Sequence, residues 1–232
     1  MSTNNKNNNN NAPQYPNLNS GLQAGALLFG PRQLGVGIRG GCEAAIHSAR
    51  RYLQSLAPGH IMVKLDFANA FNSLHRSDML LSVRDRLPEL YAFCLSSYSQ
   101  PSFLYFGSHV ILSQEGPQQG DPLGPLLFCS TIHPLISSLS SDLTLGYLDD
   151  LTLAGPQSVV AADIQQVMAE GSKMGLCLNL RSARSFLIQI QISLTKPCRR
   201  SLLSVWPMRP YSEPRCSRAK FWMTLGWHAV KI

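Results

Sequence analysis

The 232-residue chain has no C-x-x-C pair, and its six cysteines, Cys42, Cys94, Cys129, Cys177, Cys198 and Cys216, lie far apart. That spacing excludes a zinc ribbon or finger and offers no disulfide framework. It favours a reducing intracellular compartment, the nucleus or the cytoplasm. No apolar segment near the N-terminus suggests a secretory signal. The longest apolar run, Leu123 to Ile136, is interrupted by Pro125, His133 and Pro134 and is too short to span a bilayer, so no membrane partner is expected. Acidic residues nearly vanish towards the C-terminus. Residues 181–232 carry ten Lys/Arg and one Asp/Glu, whereas residues 1–180 carry ten and twelve. The formal charge of +7 is therefore +9 on the tail and −2 on the rest. The basic pI of about 9.3 does not by itself mark the main body as a binder of polyanions.

Three stretches follow from composition. Residues 1–26 form a polar, Asn-rich leader with little to bury, expected to be disordered. Residues 27–180 are globular in composition, and 44% apolar residues over the whole chain suffice for a core. Residues 181–232 are basic, with Pro197, Pro207, Pro210 and Pro214 breaking any sustained period; only Ser185 to Ser193 alternates like a strand.

Within the middle stretch, helical spacing is expected over Cys42–Leu56, Ser77–Leu87, Glu89–Tyr98, Leu126–Leu139 (with Pro134 as a kink) and Ser158–Met174. Strands are expected over Ile61–Asp66, in a hairpin of Phe103–Phe106 with Val110–Leu112, on both sides of an acidic turn between Leu143 and Ala154, and over Leu176–Leu180. The order αβααββαββαβ predicts an α+β fold with an antiparallel centre packed on helices.

The chemistry lies in the acidic residues inside apolar strands. Asp149 and Asp150 interrupt Gly146-Tyr147-Leu148-Asp149-Asp150-Leu151-Thr152-Leu153, and Asp66 ends Ile61-Met62-Val63-Lys64-Leu65. Asp is at home in turns and at helix starts, so each alone has an ordinary explanation. Two adjacent carboxylates flanked by buried strands are different, because like charges taken out of water together need a cation. Strand-end carboxylates on one sheet edge can hold two Mg²⁺ ions about 4 Å apart, clamping the attacking and leaving oxygens of an in-line phosphoryl displacement. Between the two acidic segments, Gln118-Gln119-Gly120-Asp121-Pro122 offers a backbone that a substrate can approach closely at Gly120.

Lys64-Leu65-Asp66-Phe67-Ala68-Asn69-Ala70-Phe71-Asn72, then Gly116-Pro117-Gln118-Gln119-Gly120-Asp121-Pro122-Leu123-Gly124-Pro125-Leu126-Leu127-Phe128, then Tyr147-Leu148-Asp149-Asp150, in that order, resemble the palm of reverse transcriptases, most closely those of non-LTR (LINE-like) retrotransposons. The likeness runs from about Gln33 to Asn179, beginning with Gln33-Leu34-Gly35 and Glu43-x-Ala45-Ile46, which resemble the fingers-to-palm segment of that family. The resemblance implies a palm with partial fingers and RNA-directed DNA polymerisation on an RNA template and DNA primer with deoxynucleotides. It implies Asp66 and Asp149 as ligands of two Mg²⁺ ions, with Asp150 the supporting catalytic carboxylate. Phe71 would lie under the incoming sugar, where it would otherwise be a core residue, and Gln119 and Gly120 would contact nucleotide and template.

Departures from the family pattern fall on both flanks. Gly37 stands where many relatives carry Arg, and Ser182 where they carry Lys, three residues after Asn179. No thumb is recognisable after Arg181, and the compositional break there suggests a shifted reading frame, testable by translating the other two frames past codon 181. The expected protein is a palm fragment of a retroelement with little or no activity. A non-catalytic nucleic-acid-binding remnant using the basic tail is the alternative. A nucleotide cyclase would also use strand-end carboxylates, but the Gln-Gly-Asp-Pro loop argues against it.

Overall fold

The computed structural model describes residues 25 and 27–179 of the chain. The expected leader, the basic tail and the strand-like Ser185–Ser193 lie outside the described residues, apart from the short ends just named.

At its centre is a three-stranded antiparallel sheet of β1 (His60–Leu65), β4 (Leu143–Tyr147) and β5 (Asp150–Pro156), in the order β1-β5-β4. The strand pleat separates two faces. Val63 and Leu65 of β1, with Leu151 and Leu153 of β5, point into the main core. There they meet α5 (Gly124–Ser138) and α6 (Gln157–Lys173), whose Leu127, Phe128, Ile132, Val160 and Val167 are buried. Met62 and Ala154 point to the opposite face, onto Ala49 and Tyr52 of α1 (Gly41–Gln54). Most of α5 is apolar and buried around its whole circumference, as expected of a helix running through a core, and it continues through Pro134. Helices α3 (Arg76–Arg86) and α4 (Pro88–Tyr98) complete the main core through Met79, Val83, Leu90 and Cys94.

Every expected helix and strand from Cys42 to Met174 is present within a few residues of its expected bounds. Two differences concern the site. The short helix α2 (Ala70–Ser73) was not legible: four residues carry no period, and its start depends on Asn69 adopting φ 51°, which Asn tolerates better than most residues. Of the expected strand Leu176–Leu180, the described residues 176–179 form a single antiparallel bridge, between Leu178 and Phe67, as the partner leaves extended geometry after Phe67 to enter the α2 turn.

The second sheet is a hairpin, β2 (Ser102–Phe106) with β3 (His109–Ser113), closed by Gly107-Ser108. Its Phe103, Leu104, Tyr105, Phe106, Val110, Ile111 and Leu112 are all exposed. No helix among the described residues is long and apolar enough to cross a membrane.

Cysteine chemistry follows from this packing. Cys94 on α4 is buried, which with the nearby Asp121 charge pushes its thiol up to about 12; burial pushes Cys129 on α5 up as well. Since the thiolate is the reactive form, both should resist iodoacetamide near pH 8 in the folded chain, while exposed Cys177 is carbamidomethylated. Peptide mass mapping reads this directly; modification of Cys94 or Cys129 without denaturant would contradict the packing.

Candidate active site

Asp66 directly follows β1, Asp149 lies in the two-residue turn between β4 and β5, and Asp150 opens β5. Leu65 pairs with Leu151, so the end of β1 lies beside the start of β5 and all three carboxylates gather at one end of the sheet. The adjacent aspartates then part. Asp150 forms an ion pair with Lys64 at 2.9 Å, on the α1 side of the sheet. Asp149 is within electrostatic reach of Asp66 and of Cys129 on the core side.

Burial is the first cause that holds the Asp149 carboxyl above the ordinary carboxylate range. The charges of Asp150 and Asp66 add to it, while Lys64 and a hydrogen bond to the residue's own backbone oppose it. Lys64 thus pairs with Asp150 and also acts on Asp149, and three carboxylates share this end of the sheet. A set of oxygen-only donors at which like charges meet suits a hard divalent cation. Among the described residues no three Asp, Glu, His or Cys side chains form a ready-made metal cage. Mg²⁺ does not need one, since it is commonly held by one or two carboxylates with substrate phosphates and water filling the remaining positions.

Asp66 is itself held. Asn179 donates its backbone N–H to the Asp66 carbonyl at 2.8 Å, and its side-chain amide reaches the carboxylate at 3.4 Å. Ala68 N–H donates to the Cys177 carbonyl at 2.9 Å, so residues 177–179 brace the chain leaving β1.

The remaining candidates lie on α2 and the loop facing it. Phe71 is half-buried and stacks on Phe128, with ring centroids 4.5 Å apart and planes 16° from parallel. Gln119 donates to the Asn72 side chain at 3.2 Å. A Cβ on Gly120 would meet nothing within 4 Å, so that backbone is open to approach, although φ is +91°.

The sequence reading missed what holds this loop. Arg76 is buried at the start of α3, its Nε donating to the Gly116 carbonyl at 3.0 Å, one terminal nitrogen to Ser113 Oγ at 3.0 Å, and the other to the Gln100 carbonyl. Glu115 accepts from the Arg76 backbone N–H at 2.9 Å, and the guanidinium lies 5.2 Å from the Tyr98 ring centroid. Tyr98 donates its hydroxyl to Asp121 and accepts from the Gln118 backbone N–H. Burial, then the Asp121 hydrogen bond, raises the Tyr98 phenol well above its ordinary value, so it stays a donor. Nothing in the one-dimensional pattern connects Arg76, Tyr98 and Asp121, because an Arg opening an amphipathic helix reads as a solvated charge.

Arg76→Met keeps most of the volume but strips the Gly116 and Gln100 carbonyls of their donor. A loss of about 1–3 kcal/mol in urea unfolding is expected, the cost of leaving the buried Gly116 carbonyl unpaired, since exposed Gln100 can turn to water. A change below 0.5 kcal/mol would mean the network contributes nothing.

Carboxylates at the ends of paired antiparallel strands, with helices on both faces and a Gly-rich loop beside them, define a polymerase palm. The chain belongs to the reverse transcriptase (RNA-dependent DNA polymerase) family, whose model matches residues 6–186. That match begins well before Gln33, where the motif likeness starts. Among solved structures the chain is similar to apo telomerase from Candida tropicalis, at 12% identity and a TM-score of 0.53, covering 71% of this chain and 35% of that one. The same telomerase truncated from its C-terminal domain matches at 14% identity and a TM-score of 0.53, covering 71% and 38%. At these identities the likeness is one of fold, and the chain spans little more than a third of either telomerase. No curated protein matches it.

Proposed function

We propose that the chain is the palm portion of an RNA-directed DNA polymerase of the non-LTR retroelement type. The observation that carries the chemistry is the gathering of Asp66 and Asp149 at one sheet end, with Asp150 already neutralised by Lys64. In the reaction, a primer 3′-oxygen bonds to the α-phosphorus of a deoxynucleotide as the bond to pyrophosphate breaks. Asp66 and Asp149 would hold Mg²⁺ here; when bound, it stabilises the charge that develops on the attacking and leaving oxygens. Asn179 keeps the Asp66 carboxylate oriented, and Lys64 holds Asp150 away from the core side. Phe71, rigid against Phe128, presents a ring that excludes a 2′-hydroxyl, and Gln119 and Gly120 bound the nucleotide and template side. RNA template, DNA primer and deoxynucleotides are the substrates on this reading. Gly37 and Ser182 stand where the family carries cations, so slow extension is expected.

The test is Mg²⁺-dependent extension of a DNA primer on an RNA template, beside Asp149→Ala. Templated extension that the substitution removes supports the reading. Extension that Asp149→Ala leaves intact refutes the assigned site, and none at any Mg²⁺ or Mn²⁺ concentration refutes catalysis by this chain. A second reading has one observation in its favour, the +9 charge of residues 181–232. There the chain is a non-catalytic nucleic-acid binder; filter binding should then show steep salt dependence that truncation after Leu180 removes.

A further inference from the structure

The turn that carries Asp149 is clamped from outside its own hairpin. Leu148 has φ 57°, a left-handed conformation that a side chain such as leucine rarely adopts. Gln33 is completely buried, and both ends of its amide are spent on that residue. Its Oε1 accepts the Leu148 backbone N–H at 2.8 Å, and its Nε2 donates to the Leu148 carbonyl at 3.0 Å. The same Oε1 accepts from the Gly35 N–H at 3.0 Å.

Three further features make this a built device. Residues 32–34 run parallel to β4, with Leu34 N–H donating to the Gly146 carbonyl at 2.8 Å and Gly146 N–H to the Arg32 carbonyl at 2.6 Å. The Arg32 guanidinium donates to the carbonyls of Ile136, Ser137 and Leu139 at 3.0–3.2 Å, fastening the segment to the C-terminal end of α5. The glycines on each side make the room. A Cβ on Gly35 would come within 2.6 Å of Leu148 N, and one on Gly146 within 2.9 Å of Gln33 Nε2.

We propose that Gln33 is a positioning residue which, by holding both backbone polar groups of Leu148, sets the direction of the Asp149 carboxylate. The physical step is short. The Leu148 carbonyl and the Asp149 nitrogen belong to one planar peptide unit, so fixing that carbonyl fixes the plane from which the Asp149 side chain departs. Without the clamp the turn relaxes towards ordinary dihedrals, and the carboxylate turns away from Asp66. The inference rests on Asp149 being a metal ligand, and its test separates the two ideas.

The experiment is Mn²⁺ titration of the full chain, followed by electron paramagnetic resonance, with hydrogen exchange at the Leu148 amide measured in parallel. The variants are Gln33→Met, Gln33→Glu, Asp149→Asn and Val160→Ala. Val160→Ala opens a core cavity on α6 and controls for lost stability alone. Gln33→Met should weaken Mn²⁺ binding by about 10- to 100-fold, as for other residues that orient a ligand, and speed Leu148 exchange more than it speeds global exchange. Gln33→Glu keeps the volume and the acceptor but loses the donor to the Leu148 carbonyl. It should weaken binding less, and it decides the matter alone if Gln33→Met does not fold. Val160→Ala should leave the affinity unchanged. If Asp149→Asn weakens Mn²⁺ binding while the Gln33 variants bind as the parent does, the positioning role is overturned and the metal site stands. If Asp149→Asn also binds like the parent, the metal site itself is wrong and the positioning role falls with it.

Discussion

Asp149→Asn is expected to reduce Mg²⁺-dependent primer extension by about 10³-fold or more while making the chain more resistant to heat. The first effect follows from the proposed function, in which Asp149 would hold a divalent cation worth several kcal/mol to a phosphoryl transition state, at 1.36 kcal/mol per tenfold in rate. The second follows from the same charge. Asp149 is half-buried, near Asp66 and Asp150, and its carboxyl is held above the ordinary value of 3.8. A folded state that binds this proton more tightly than the unfolded chain loses stability as pH rises from 3.8 through the raised folded value. Above that value the whole cost is present, and below 3.8 it is absent. In EDTA near pH 7, Asp149→Asn should therefore melt at a higher temperature than the parent, and the gap should close towards pH 4. Added Mg²⁺ should narrow it at pH 7 by stabilising the parent alone. A variant that loses activity and melts lower would show that the carboxylate is structurally required rather than held at a cost.

The second large effect is expected at Gly116, where a single methyl is incompatible with the loop. A Cβ there would lie 1.8 Å from the Phe71 carbonyl oxygen and 2.8 Å from its carbon, and φ is +65°. The positive φ alone costs an alanine roughly 1–2 kcal/mol. The clash must then be relieved by moving backbone, because the atoms met are not the end of a flexible side chain. Relief would pull Gly116 away from Leu74, whose carbonyl accepts its N–H at 2.7 Å, and from the Arg76 guanidinium. Gly116→Ala should lose more than about 3 kcal/mol in chemical denaturation, a large part of the 5–15 kcal/mol typical of a domain. Gly120→Ala is the comparison: its φ is also positive, but an added Cβ meets nothing, so a loss of only about 1–2 kcal/mol is expected. Equal losses at the two positions would mean that the close approach to Phe71 is not what requires glycine.

These variants touch the parts of the site that differ most in how visible they were. Asp66 and Asp149 stood out because carboxylates are conspicuous inside apolar strands, and strand periodicity is a local property. The separate fates of Asp149 and Asp150 were less obvious. Adjacent residues at a strand start take opposite sides of the pleat, and only pairing with β1 brought Lys64 to one of them. Phe71 was singled out only by the resemblance to reverse transcriptases, since by itself it reads as core, and its support by Phe128 joins residues 57 apart in sequence. Over the described part of the strand expected at Leu176–Leu180 there is one bridge, since a strand needs a partner that stays extended.

By itself, the sequence determined the helices and long strands of the palm, the α+β class and the identity of the acidic residues. Those depend on local periodicity and on the cost of burying unpaired charge, which are readable one segment at a time. The tertiary structure alone decided how the site is held: Gln33 against Leu148, Arg76 against Gly116, Asn179 against Asp66. Each is a hydrogen bond between distant segments, and a polar side chain gives no sign in one dimension of which backbone group it will meet.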